Sequence, residues 1–130
     1  MTNKKPDPVV REAERYFGFL RDQGFIVRYA DYSAELFGNW VVEYESTRCA
    51  VYVTRDRGDI IVELSSAGDH KPKNRISLQE IVYAVSGGRE VATAPKGLFN
   101  RSQREQLRRM AQVLQKHLPE ITLYFSRNAK

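Results

Sequence analysis

The side chains best equipped for chemistry in this chain are few. They are two histidines (His70 and His117), one cysteine (Cys49), and three glutamates (Glu43, Glu45 and Glu63) inside a run of short apolar–polar alternation. A metal centre needs several such ligands at close spacing. Neither histidine has a partner at metal-ligand spacing, and one cysteine supplies no second thiolate. His117 falls near the end of a helical pattern, where its charged form favours the helix dipole, and His70 lies in a polar loop. Cys49 cannot form an internal disulfide and sits on an alternating strand, so it reads as a small core residue rather than a nucleophile. Gly87-Gly88 follows a helix rather than a strand and reads as a helix stop, not a phosphate loop. Glu43, Glu45 and Glu63 could pair as acid and base across neighbouring strands, but solvent-facing carboxylates on adjacent strands meet without any catalytic purpose. The expectation is no catalytic residue, no metal ligand, no cofactor and no enzymatic activity.

Binding is the remaining class. Arg101, Arg104 and Arg108 lie within about sixty degrees of one another on a helix turning 100° per residue. Lys71, Lys73 and Arg75 add cations in a loop, with Arg89 and Lys96 in the next one. Phosphate contacts need such cations and carry affinity without sequence information, so nucleic acid is a possible partner. No groove-reading motif or aromatic RNA-binding signature accompanies them, and a solvated helix face is the plainer reading. For a protein partner, Tyr52, which shares its strand face with Arg48 and Thr54, is the best candidate for an exposed aromatic. The acidic set Asp31, Glu35, Glu43, Glu45, Asp56 and Asp59 would steer a basic partner.

The formal charge of +5 over 130 residues hides an asymmetry. Residues 1–64 carry nine Lys/Arg against eleven Asp/Glu, and residues 65–130 carry twelve against five, giving −2 and +7. Such a split invites a charged partner without saying whether the excess forms one patch. No apolar run reaches the ~18 residues that span a bilayer, and the N-terminal MTNKKPDPVV lacks the apolar stretch of a signal peptide. A reducing cytoplasm is the expected setting, with the chain a monomer or weak homodimer.

The elements that must position these residues are legible from spacing. The length predicts a single α+β domain with a disordered tail at 1–6. Asp7-Pro8 opens a helix whose Val9, Ala13, Tyr16, Phe17 and Leu20 face one side, with Gly24 as its stop. Phe25, Val27 and Tyr29 begin a strand, and residues 31–37 read as a loop with one helical turn. The next strands alternate as Trp40, Val42, Tyr44, then Cys49, Val51, Val53, then Ile60, Val62, Leu64, with hairpin turns at Ser46-Thr47 and Asp56–Asp59. This is a meander of three to four antiparallel strands with one buried face.

Residues 65–75 read as a polar, mobile loop. Ser77 and Glu80 then form a capping box, with Ile76 and Ile81 as its hydrophobic staple. That helix buries Ile81, Val82 and Val85, and residues 88–100 form a second loop. Ser102 and Glu105 open another helix, whose Leu107, Met110, Ala111, Leu114 and Leu118 run to Pro119. Residues 119–126 fit either a strand or, by the preferred reading, a further helix. The two or three C-terminal helices are expected to pack on one sheet face.

With these residues in view, the chain resembles a group of small bacterial proteins of mostly unassigned function. Their pattern is a helix ending FLxxxGF, then YSxExFGN, a strand with VxYES, and VxRDRGxxxVEL. The matching residues here are Phe19-Leu20 with Gly24-Phe25, Tyr32-Ser33, Glu35, Phe37–Asn39, Val42–Ser46 and Val53–Leu64, followed by the terminal helix with Tyr124–Ser126. In size, order and lack of catalytic groups, the chain is similar to immunity proteins of bacterial toxin systems. The resemblance implies a cytoplasmic protein that blocks a cognate toxin domain by binding it. Inhibitors of nucleases are often acidic, so the charge of +5 departs from that pattern and argues against a nuclease target.

Overall fold

Period-two alternation over residues 39–64 becomes three adjacent strands of a five-stranded antiparallel meander, ordered β1-β2-β3-β4-β5. The computed structural model describes residues 8–33, 39–89 and 103–127. Two helical segments, α1 (Pro8–Phe17) and α2 (Phe19–Asp22), lead into β1 (Ile26–Ser33), β2 (Asn39–Glu45), β3 (Cys49–Asp56) and β4 (Asp59–Ser66). A 3-10 turn (Pro72–Asn74), the short β5 (Ile76–Ser77), α3 (Leu78–Val85) and α4 (Gln103–Arg127) complete the order. The expected α+β architecture is present. Its sheet has one strand more than the three to four expected, because Ile76 and Ser77 pair with Leu64 and Glu63.

One face of the sheet carries Trp40, Val42 and Tyr44, then Cys49, Val51 and Val53, then Ile60, Val62 and Leu64, all buried. Each strand supplies alternate residues to this inner face, as the pleat requires. The helices close over it: Phe17 and Leu20, Leu78 and Ile81, and Leu107, Leu114 and Ile121 join the same hydrophobic cluster. Removing a fully buried side chain of this kind exposes roughly 1.5–3 kcal/mol of transfer free energy, so this cluster holds the helices on one side.

Local chemistry sets the element ends. The first helix is interrupted at Gly18, where a Cβ would lie 2.7 Å from the Glu14 carbonyl oxygen. The Arg21 Nε spans the break to both Glu14 carboxylate oxygens at 2.8 Å. At the β3–β4 hairpin Arg57 and Gly58 both have positive φ, 54° and 89°, the combination of a type I′ turn that matches strand twist. The Asn39 side chain accepts from the Arg57 N–H at 2.8 Å and so ties β2 to this turn. The capping box at α3 is complete: the Ser77 hydroxyl accepts from the Glu80 N–H, and the Glu80 carboxylate accepts from the Ser77 N–H.

Three expectations about the elements need correction. Strand β1 is not a regular alternation, because its register with β2 shifts between Val27 and Tyr29. The bulge at Arg28 leaves Val27 packed on the core but turns Tyr29 outward, 48 % exposed, and brings Ala30 inward opposite Val42. The strand also continues to Ser33, so residues 31–33 are not loop. Helix α4 does not stop at Pro119 but runs through it to Arg127. Proline lacks the N–H for the Gln115 carbonyl, yet it sits exposed while Leu118, Ile121 and Phe125 continue the buried stripe. Packing of that stripe outweighs one lost hydrogen bond. His117 is consequently ten residues from the helix end and buried, so it serves no C-terminal dipole. Asp7, the expected tail at 1–6, most of the loop at 88–100, and Ser102 of the second capping box lie outside the described residues.

Candidate functional site

The outer face of the sheet is the surface that the helices leave alone. Its cross-strand rows follow from the register: Ile26–Glu45–Ala50–Ser65, then Tyr29–Glu43–Tyr52–Glu63–Ser77, then Asp31–Val41–Thr54–Ile61. The first two rows and the third behave differently.

Over the first two rows, residues 67–75 fold back onto the sheet. Tyr52, the aromatic expected to be exposed, is fully buried. Its hydroxyl lies 2.9 Å from the Ser65 Oγ and donates to the Asp69 carbonyl at 3.4 Å, and the Arg75 guanidinium stacks 3.9 Å above its ring. Arg75 also approaches Glu43 and Glu63, each at 3.8 Å. It is therefore a structural clamp and not a loop cation open to phosphate. Glu43, placed among the partner-facing carboxylates, is 6 % exposed and ion-paired with Arg28. That arginine is delivered by the β1 bulge, which re-aims its side chain. Glu45 accepts from the Gly68 N–H at 2.7 Å and lies 3.0 Å from His70 Nε2, with Arg28 Nε at 3.7 Å. Burial works against ionisation of Glu45, but the Gly68 N–H, His70 and Arg28 together hold its carboxyl below the ordinary glutamate value. Charge-assisted contacts of this kind are about twice as strong as neutral ones, and here they join a polar segment to a sheet. Residues 65–75 are thus largely structured: Ser65 and Ser66 end β4, and Pro72–Asn74 form the 3-10 turn.

Among the described residues the third row is open. Asp31 is exposed, Ile61 is 39 % exposed, and Val41 and Thr54 are half-buried. With Asn39, Trp40, Arg55 and Asp56 they line a shallow depression of about 270 Å³. Asp56 and Asp59 stand exposed at the hairpin beside it, and the Asn39 amide donates to Asp56 at 3.2 Å. Arg55 belongs to the inner row, opposite Trp40 and Ile60, and donates to Gln103 of α4. Gln106 of the same helix accepts from the Ile60 N–H at 3.0 Å and donates to the Gly58 carbonyl at 3.3 Å. The first turns of α4 therefore hold this end of the sheet rigid.

The remaining predicted residues scatter. Arg48 is exposed in the β2–β3 turn but donates to Ser126 of α4, well away from the open row. Arg104 is exposed, and Arg108 reaches Glu105 Oε1 at 2.9 Å. Lys71 and Lys73 are exposed beside the 3-10 turn, on a different element from α4. Glu35 and Arg101 lie outside the described residues. Cys49 is buried in the core, and burial pushes its thiol up to about 12, a Ser46 hydrogen bond acting the other way. Among the described residues no group of three or more His, Cys, Asp or Glu side chains is placed to hold a metal ion. No helix among them is long and apolar enough to cross a membrane.

Sequence reasoning missed Arg28, Ser65, Asp69 and His70 as members of the polar network. Arg28 carries a weak signal, a cation between Val27 and Tyr29. The others are polar residues in a polar stretch, and nothing in their types announces a destination. Compared with family models, with curated proteins and with solved structures, the chain matches none.

Proposed function

We propose that this chain is a non-enzymatic binding protein, an immunity-type inhibitor that acts in the cytoplasm by docking onto a cognate bacterial toxin domain. The observation that carries this reading is the open third row of the outer face. Val41, Thr54 and Ile61 leave apolar surface in water there, beside Asp31, while residues 67–75 cover the β2–β4 part of the neighbouring rows, whose β1 members Ile26 and Tyr29 stay exposed. Rigid, partly apolar sheet surface with a charged rim suits protein recognition. The carboxylates Glu43, Glu45 and Glu63 support it by being occupied with Arg28, Arg75 and His70, roles that brace the scaffold. A nucleic-acid role has weaker support, since Arg75 faces Glu43 and Glu63 and Arg108 faces Glu105.

The test is capture of the toxin domain encoded beside the gene. Wild type binds and neutralises it, and Ile61→Arg loses at least about tenfold in affinity by placing a charge in an apolar contact, with an unchanged far-ultraviolet spectrum. Wild-type protein that neither binds nor neutralises that toxin sinks the reading.

A further inference from the structure

We infer that the depression on the open row is an anchor pocket for one cationic side chain, an arginine or lysine, presented by the protein partner. This rests on the docking reading above and names the chemistry at its centre.

The floor and the rim carry the argument. Asp31, Val41, Thr54 and Ile61 are direct cross-strand neighbours on β1 to β4. The floor between the ends of this row is thus the side chains of Val41, Thr54 and Ile61, half-buried or 39 % exposed. Apolar floor accepts the methylene stem of a long side chain, which buries its carbons while keeping its charged head at a polar edge. The edges here are carboxylates, Asp31 on β1 and Asp56 at the end of β3. Among the described residues, Arg55 in the lining donates to Gln103, and Arg28 on β1 is paired with Glu43 and Glu45. Arg57 stands 4.0 Å from Asp56 but is 82 % exposed, where an ion pair is worth little. The result is locally acidic surface on a chain of charge +5, complementary to a basic group. Size points the same way. A depression of about 270 Å³, open to solvent, has room for one long side chain laid along its floor.

The full-length protein, labelled with ¹⁵N, is titrated with the capped tripeptide acetyl-Val-Arg-Val-amide and separately with its citrulline analogue, which keeps the shape and removes the charge. The expected result is a saturable change at the amides of Val41, Thr54 and Ile61 with the arginine peptide. Binding weakens about tenfold with citrulline, and by a similar factor in the Asp31→Asn, Asp56→Asn double variant, as desolvated charge pairs require. Equal binding of the two peptides, changes centred elsewhere, or no localised change overturns the anchor pocket. If Ile61→Arg still abolishes toxin binding, such a failure removes the cationic anchor and leaves the docking face standing. A toxin that ignores Ile61→Arg removes the face itself.

Discussion

Glu43 shows how far a residue's role depends on what folds over it. By position it is a surface carboxylate on the alternate face of β2, yet it is 6 % exposed and bound by Arg28 with Arg75 near. Truncating it removes the carboxylate shared by two partly covered guanidinium groups, leaving Arg28 with Glu45 at 3.7 Å and Arg75 with Glu63 at 3.8 Å. Glu43→Ala should therefore lower stability by about 2 kcal/mol, read from urea unfolding, with Arg28 37 % and Arg75 20 % exposed limiting the penalty. A loss no larger than that of an exposed carboxylate such as Asp22 would show that the network contributes nothing. Tyr52 makes the same point from the apolar side. Its face was readable from alternation, but its burial comes from Arg75, twenty-three positions along the chain, settling on the ring.

At the scale of elements, local signals and long-range packing divide the work. The capping box of α3 is wholly local: Ser77 and Glu80 satisfy each other's backbone donors whatever the rest of the chain does. Ser77→Ala is expected to cost about 1 kcal/mol, close to a 4 °C fall in melting temperature for a domain this size. An unchanged melting temperature would place the start of α3 under tertiary control instead. The β1 bulge and the passage of α4 through Pro119 were not readable in this way. Alternation assumes an unbroken pleat, and a single inserted residue reverses every face beyond it; Tyr29 is the visible consequence. Proline is a helix breaker on average, but an exposed proline in a helix whose next turns bury Ile121 and Phe125 loses one bond and keeps two anchors.

On the scale of the whole molecule, the segment 67–75 decides which part of the outer face is free. Its attachment is electrostatic, so it answers to pH. Glu45 is held below its ordinary value of 4.5 by the Gly68 N–H, His70 and Arg28, against the opposing effect of burial. A depressed carboxyl contributes stability that is fully present above the unfolded value and is lost as pH falls through the folded one. The stability advantage of wild type over Glu45→Gln should accordingly be constant near neutrality and shrink once pH drops below 4.5. A difference that is flat across that range would mean that the charge on Glu45 does not hold the segment.

What the residues determined unaided was everything governed by near neighbours. The amphipathic helices, the hairpin turns, the inner face Trp40-Val42-Tyr44 through Leu64, and the outward parity of Val41, Thr54 and Ile61 all follow from periods of 3.6 and 2. Only tertiary structure decided which half of the outer face is covered. That outcome depends on a polar segment finding carboxylates on β2 and β4, contacts between residues that share no periodicity and whose types are equally at home in water. Charge pairing across such distances leaves no mark in spacing, so the open depression beside Asp31 and Asp56 became visible only once residues 67–75 had taken the other half.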